Sequence, residues 1–237
     1  MRFKLNFELE NEKIPIQYRK SIISFIKQSL SEYNAEYYKK FYNDKDTTIK
    51  PITFAVFFHN PIFEEDKIII EDKRIELNIS IADYETSIIL YNAFNHQKNK
   101  KFSLDKNSWT LKNINMLSEK TIDSEEITIK FMSPLVVRSH SRDNDYYYSF
   151  NDKEFKDILK INIKQELKIT NIPEELVDNF EINVIKASKV IVKFYEKKIE
   201  TSTGIFKISG DKQLLKYLYD AGMGSKRSSG FGMFQII

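Results

Sequence analysis

Residues 125–137 read EEITIKFMSPLVV, and this stretch decides how the chain divides. Ile127, Ile129 and Phe131 alternate with Thr128 and Lys130, the period of a strand with one buried face, before a Ser133-Pro134 turn and the apolar Leu135-Val136-Val137. The same alternation opens the chain, where Phe3, Leu5, Phe7 and Leu9 lie opposite Arg2, Lys4, Asn6 and Glu8. A second opening strand predicts a second domain, so the expected division is 1–124 and 125–237.

After the first strand, Ile22, Ile26, Leu30, Tyr33, Tyr37 and Phe41 recur at spacings of three and four. They predict one helix of about seven turns, from Pro15 to near Asn43. Residues 52–58, 67–71 and 74–81 read as strands, the last two separated by a turn at Asp72-Lys73; residues 83–95 return to helical spacing, and Trp109, Leu111, Ile114 and Leu117 mark a final strand. In the second half, Asn151 and Glu154 resemble a capping box opening a helix with Phe155, Leu159, Ile163 and Leu167, which Pro173 ends. Strands follow at 180–187, 189–198 and 204–208, then a short helix opened by Asp211 with Leu214, Leu215 and Leu218, and a closing strand at 231–237. Each half thus runs strand, helix, two or more strands, helix, strand. The fold class is α+β: two tandem ferredoxin-like (RRM-like) domains, each an antiparallel sheet with helices on one face.

Composition narrows function. Hydrophobic residues at 41% and aromatic residues at 14% describe a chain that packs a core and is not disordered. The absence of cysteine excludes a disulfide framework, a thiolate metal site and a cysteine nucleophile, and fits the cytoplasm. No signal-peptide pattern and no apolar run of roughly 20 residues occurs, so a membrane partner is not expected. With 37 basic and 34 acidic residues, an anionic partner must be met by local clusters.

Local clustering is found at the C-terminus. Four of the six glycines, Gly222, Gly224, Gly230 and Gly232, fall in AGMGSKRSSGFGM, together with Ser225, Lys226, Arg227, Ser228 and Ser229. Glycines admit left-handed backbone and close approach, and the interleaved donors suit phosphate oxygens. A helix precedes and a strand follows, the reverse of a P-loop or a Rossmann fingerprint. The bland alternative is a helix C-cap at Gly222 and a turn into an edge strand. A second polar segment, Arg138-Ser-His140-Ser-Arg142, is followed by Tyr146, Tyr147 and Tyr148, the charged and stacking groups that RNA binding uses.

The glycine-rich tail resembles the C-terminal signature of CRISPR-associated RAMP endoribonucleases, which process precursor CRISPR RNA. The opening Met-Arg-Phe-Lys-Leu, the Ile14-Pro15 pair before the first helix, Met132-Ser-Pro-Leu-Val-Val-Arg138 and Asn151-Asp-Lys-Glu-Phe-Lys-Asp-Ile-Leu resemble the same family. The resemblance implies attack of a ribose 2′-hydroxyl on the adjacent phosphate, leaving a 2′,3′-cyclic phosphate and a 5′-hydroxyl, without a metal or other cofactor. The protein then only orients groups in line, moves protons and stabilises the phosphorane. Many relatives carry a histidine near the end of the first helix; this chain has Tyr37, Tyr38, Lys39, Lys40, Phe41 and Tyr42 there. Tyr42 or Tyr38 stands in the equivalent place, with Lys39 or Lys40 beside it, Lys50 matches a family lysine, and Lys27 is a further candidate. The bland reading of this cluster is an amphipathic helix end with solvated lysines. The histidines His59, His96 and His140 carry no catalytic pattern of their own. The expected partner is precursor CRISPR repeat RNA, with other effector-complex subunits and homodimerisation left open. The alternative function is a non-catalytic RAMP-type subunit that binds CRISPR RNA; a third reading, a ferredoxin-like interaction module without RNA, is opposed by the basic tail.

Overall fold

A computed structural model describes residues 1–42, 49–104, 107–141, 144–195 and 197–237. Contacts divide the chain into two compact units, Met1–Pro51 with Val56–Ser118, and Ile52–Ala55 with Glu119–Ile237.

The first unit contains β1 (Arg2–Leu9), β2 (Lys13–Pro15), α1 (Tyr18–Tyr33), α2 (Ala35–Phe41), β3 (Ile52–Phe58), β4 (Ile62–Phe63), β5 (Lys67–Ile69), β6 (Arg74–Ile81), α3 (Tyr84–Gln97), β7 (Lys101–Leu104) and β8 (Asn107–Leu117). Its main sheet has the order β3-β6-β1-β8-β7, in which β1 lies between the two strands that follow helices, the ferredoxin-like arrangement. The alternation of β1 decides which face is covered: Phe3, Leu5, Phe7 and Leu9 are all buried. Phe7 meets Phe25 of α1 edge-on at 5.0 Å and Trp109 of β8 at 5.9 Å, and Phe25 stacks on Phe94 of α3 at 5.8 Å. The polar face of β1 is tied across strands, with Lys4 to Glu76 at 3.0 Å and Glu8 to Lys112 at 2.9 Å.

The second unit contains β9 (Glu126–Phe131), β10 (Val137–His140), β11 (Asp145–Tyr148), α4 (Phe155–Leu167), β12 (Glu181–Phe194), β13 (Lys197–Ser209), α5 (Lys212–Ala221) and β14 (Phe234–Ile236). The sheet order β12-β13-β9-β14 repeats the arrangement of the first unit. Phe131 packs edge-on against Phe206 at 5.4 Å and Phe234 at 6.0 Å, while α4 buries Phe155, Leu159, Ile163 and Leu167.

Several local expectations are corrected. The single long helix is two, because Asn34 interrupts it and its side chain accepts from Tyr37 N at 2.8 Å, capping α2. The segment at 67–71 does not join the main sheet; β5 pairs with β2 and β4 in a small sheet of its own. The strands expected at 180–187, 189–198 and 204–208 are one ribbon, β12 with β13, since Ala187-Ser188 pairs with Gly204 and Thr203 instead of turning. The capping box at Asn151 and Glu154 is not formed; Asp152 accepts from Ser149 N at 2.6 Å, and Glu154 makes no side-chain cap bond. Asp211 caps α5 as expected, accepting from Gln213 N at 2.8 Å.

Asn34 sets where α2 begins and therefore where its tyrosines stand. Asn34→Ala is expected to lower unfolding free energy by about 1 kcal/mol. The urea midpoint should fall with an unchanged slope.

Candidate active site and nucleic-acid interface

In the first unit, α2 ends at Tyr42, whose backbone N–H reaches Tyr38 O. The i, i+4 spacing brings the Tyr38 and Tyr42 rings to 5.3 Å. Two ammonium groups converge on the Tyr42 ring: Lys27 Nζ at 5.0 Å and Lys50 Nζ at 4.9 Å from its centroid. Such contacts contribute about 0.5–2 kcal/mol each as the site is desolvated. Burial pushes the Tyr42 phenol well above its ordinary value, and Tyr38 adds to the effect. Burial also lowers the Lys50 ammonium, helped by the like charge of Lys27. Tyr42 is therefore a held proton donor at neutral pH, and Lys50 releases its proton more readily than an ordinary lysine. Lys39 is exposed on α2 without entering this group, and Lys40 lies 5.8 Å from the Tyr37 ring.

In the second unit, β10 and β11 form a hairpin centred on Asp145. Arg138 Nη1 donates to both carboxylate oxygens at 3.3 Å, Tyr147 Oη donates at 3.2 Å, and His140 Nδ1 lies at 2.7 Å. Desolvation works against this carboxylate, but the bonds from His140, Arg138 and Tyr147 outweigh it and hold Asp145 at about 2. Arg142 lies outside the described residues.

The glycine-rich segment folds back against this hairpin. Gly224 and Gly232 have φ of +78° and +73°, and a Cβ would come within 2.5 Å of Val136 O and 1.9 Å of Met223 O. The close approach is stitched by Ser225 N to Val136 O at 2.7 Å, Met223 N to Gly232 O at 2.9 Å and Gly232 N to Pro134 O at 2.9 Å. Gly222 and Gly230 are also left-handed and buried. These glycines are thus spent on packing the loop, while Ser225, Lys226, Ser228 and Ser229 keep partial exposure. Lys226 Nζ sits 5.3 Å from the Phe194 ring; burial lowers its ammonium, as do nearby Arg138 and Lys197, with Asp145 opposing.

Arg227 corrects the sequence reading. It turns inward, 4% exposed, with Nε 2.8 Å from Glu166 Oε1 and Nη1 donating to Ala221 O at 3.1 Å. Burial pushes the Glu166 carboxyl upward and Arg227 pulls it down. One turn earlier on α4, Asn162 donates to Arg138 O at 2.8 Å and accepts from Arg138 N at 3.0 Å and Ser225 Oγ at 2.9 Å. Asn162, Glu166, Asp145 and Lys197 were not singled out from sequence. The available signal was the i, i+4 pair Asn162 and Glu166 beside the apolar stripe at Leu159, Ile163 and Leu167, a place where polar residues need buried partners.

The profile of the family described as CRISPR associated protein Cas6, C-terminal, matches residues 117–236, just over half of the chain. The chain belongs to the Cas6 family. The endoribonuclease-like CRISPR-associated protein Cas6 of Pyrococcus furiosus is 28% identical over 147 residues, a match spanning 60% of this chain and 60% of that relative. The endoribonuclease-like protein Cas6nc of Pyrococcus horikoshii is 25% identical over 223 residues, covering 86% of this chain and 92% of that one. The solved structure of a Cas6-related gene product from P. furiosus superposes with a TM-score of 0.86 at 22% identity, covering 100% of this chain and 98% of that one, which establishes a shared fold. In this Cas6 chain the matched region holds the hairpin, α4 and the glycine-rich loop together.

Breaking the buried Glu166–Arg227 pair leaves one charge uncompensated. Arg227→Met is expected to cost about 3 kcal/mol in urea unfolding, and adding Glu166→Gln should cost less than the sum of the single changes. Asp145 has a depressed folded pKa, so its contribution is present above about pH 4 and is lost as pH falls toward 2. Over that window the wild type should lose on the order of 2 kcal/mol more stability than Asp145→Asn, measured by unfolding at each pH.

Proposed function

We propose that this protein is an endoribonuclease that cleaves precursor CRISPR RNA within its repeats, without a metal ion. Substrate 2′-hydroxyl attack on the adjacent phosphate gives a 2′,3′-cyclic phosphate and a 5′-hydroxyl. The observation that carries the reading is the convergence of Lys27 and Lys50 on the Tyr42 ring. Two cations beside a phenol that keeps its proton form a donor set for a phosphorane, whose extra negative charge develops only in the transition state. Tyr42 donates to the departing 5′-oxygen, Lys27 and Lys50 stabilise the equatorial oxygens, and Lys50, with its lowered pKa, takes the 2′-proton. Tyr38 packs on Tyr42 and fixes its ring. Lys39 supplies field from the exposed face of α2. Arg138, His140, Ser225, Lys226, Ser228 and Ser229 bind RNA phosphates, and the exposed Tyr146 offers a stacking face.

A second reading, a Cas6-type subunit that binds CRISPR RNA without cutting it, has a specific support. Each histidine has a structural partner: His59 faces Glu76 at 3.6 Å, His96 meets Lys100 at 2.9 Å and His140 is held by Asp145. General-base chemistry then falls to a lysine, a weaker choice at neutral pH.

The test is incubation of the full chain, in excess EDTA, with labelled repeat RNA of the source organism and a matched RNA carrying 2′-deoxy at the scissile position. The all-ribose RNA alone should be cut, ending in a cyclic phosphate. Tyr42→Phe and Lys50→Ala should each slow cleavage by roughly 10²–10⁴-fold while binding changes little. Tight binding of both RNAs without cleavage selects the binding subunit, and no binding overturns both readings.

A further inference from the structure

The first unit holds a cavity of about 1100 Å³ that shares no lining residue with the tyrosine–lysine cluster. Trp109 forms part of its wall, is 1% exposed, and its indole Nε1–H has no hydrogen-bond partner. Buried donors are nearly always paired, so an orphaned indole N–H at a cavity wall points to an acceptor arriving from outside the chain.

The rest of the wall is rich in donors. Lys13 and Lys67 project from one face of the β2–β5 ladder, where Lys13 lies opposite Ile69 and Lys67 opposite Pro15; Lys73 comes from the turn before β6. Ser21 lines the cavity from the first turns of α1, a helix with no side-chain cap and no acidic residue at its start. Asn107 has its amide spent on Asn11 O and Lys13 O at 2.9 Å each, which pins the β7–β8 hairpin to β2 and keeps the wall closed. Lys67 pairs with Glu64 at 2.9 Å and Lys73 donates to Glu10 O at 3.2 Å, both solvent-exposed contacts that a stronger acceptor can displace.

Two carboxylates, Glu12 and Asp66, also line the space. A bare inorganic anion would meet them unfavourably and leave most of the volume empty. An apolar ligand would leave the indole N–H unpaired. A nucleotide matches all three features: phosphate for the lysines, base or sugar donors for the carboxylates, and base acceptors for the indole.

We propose that this cavity binds a phosphate-bearing nucleotide, seated on Lys13, Lys67 and Lys73 with an acceptor atom on Trp109 Nε1. The nucleotide is either free or one unit of an RNA chain, and only the second source rests on the function proposed above.

Trp109 is the single tryptophan of the chain, so its indole N–H gives one resonance that reports on this cavity. The full-length ¹⁵N-labelled protein is titrated with AMP, GMP, CMP and UMP, with inorganic phosphate, and with repeat RNA. The indole peak should move downfield and saturate with nucleotide or RNA and stay in place with phosphate. Lys13→Ala and Lys73→Ala, both at exposed positions, should keep the folded spectrum and weaken the response roughly fivefold or more. Movement with mononucleotides assigns the site to free nucleotides; movement with RNA alone, lost in Lys13→Ala, assigns it to a nucleotide of the chain. No movement with either, or equal movement with phosphate, overturns the proposal. Response to mononucleotides in a protein that neither binds nor cuts RNA would leave the cavity standing and remove the RNA reading.

Discussion

Two polar residues one turn apart on α4, Asn162 and Glu166, fix the functional surface of the second unit. Glu166 holds Arg227 at 2.8 Å from the far side of the glycine-rich loop, and Asn162 clasps Arg138 by both backbone groups while accepting from Ser225. Glu166 and Arg227 are 7% and 4% exposed, so neither charge is screened by water, and the pair holds geometry more than it adds net stability. The buried Arg227 forces the residues on either side of it outward, which is how Lys226, Ser228 and Ser229 come to keep partial exposure. The glycines let the loop lie flat enough for that arrangement: at Gly232 a single Cβ would collide with Met223 O.

The first unit solves a different electrostatic problem. Two ammonium groups near one aromatic ring repel each other, and burial penalises the charge of Lys50 further. The Tyr42 π-face offsets part of that cost, and an arriving phosphate would offset more. Cations held partly desolvated before substrate arrives are pre-organised for a transition state with more negative charge than the ground state.

The order of elements was legible because it rests on period alone. The alternation at residues 2–9 and 126–131, and the stripe at Phe155, Leu159, Ile163 and Leu167, each emerge as the expected strand or helix. Interruptions without proline or glycine were not legible: Asn34 breaks a helix by capping the next one, and Ala187-Ser188 passes straight through a strand. At the candidate site, the Tyr42 and Lys50 pairing was readable as a cluster, since both lie close to the same chain segment. The direction of Arg227 was not. Its partner lies 61 residues earlier, on a helix whose polar residues look solvent-facing until the loop covers them, and local composition carries no trace of that contact.

The central claim is that the Tyr42 phenol delivers the proton to the departing 5′-oxygen. The direct test compares wild type and Tyr42→Phe on repeat RNA carrying either the normal oxygen or a bridging 5′-sulfur at the scissile bond, because a thiolate leaves without protonation. The account predicts that the large defect of Tyr42→Phe on the oxygen substrate nearly disappears on the sulfur substrate. An equal defect on both would contradict it and assign Tyr42 to positioning alone.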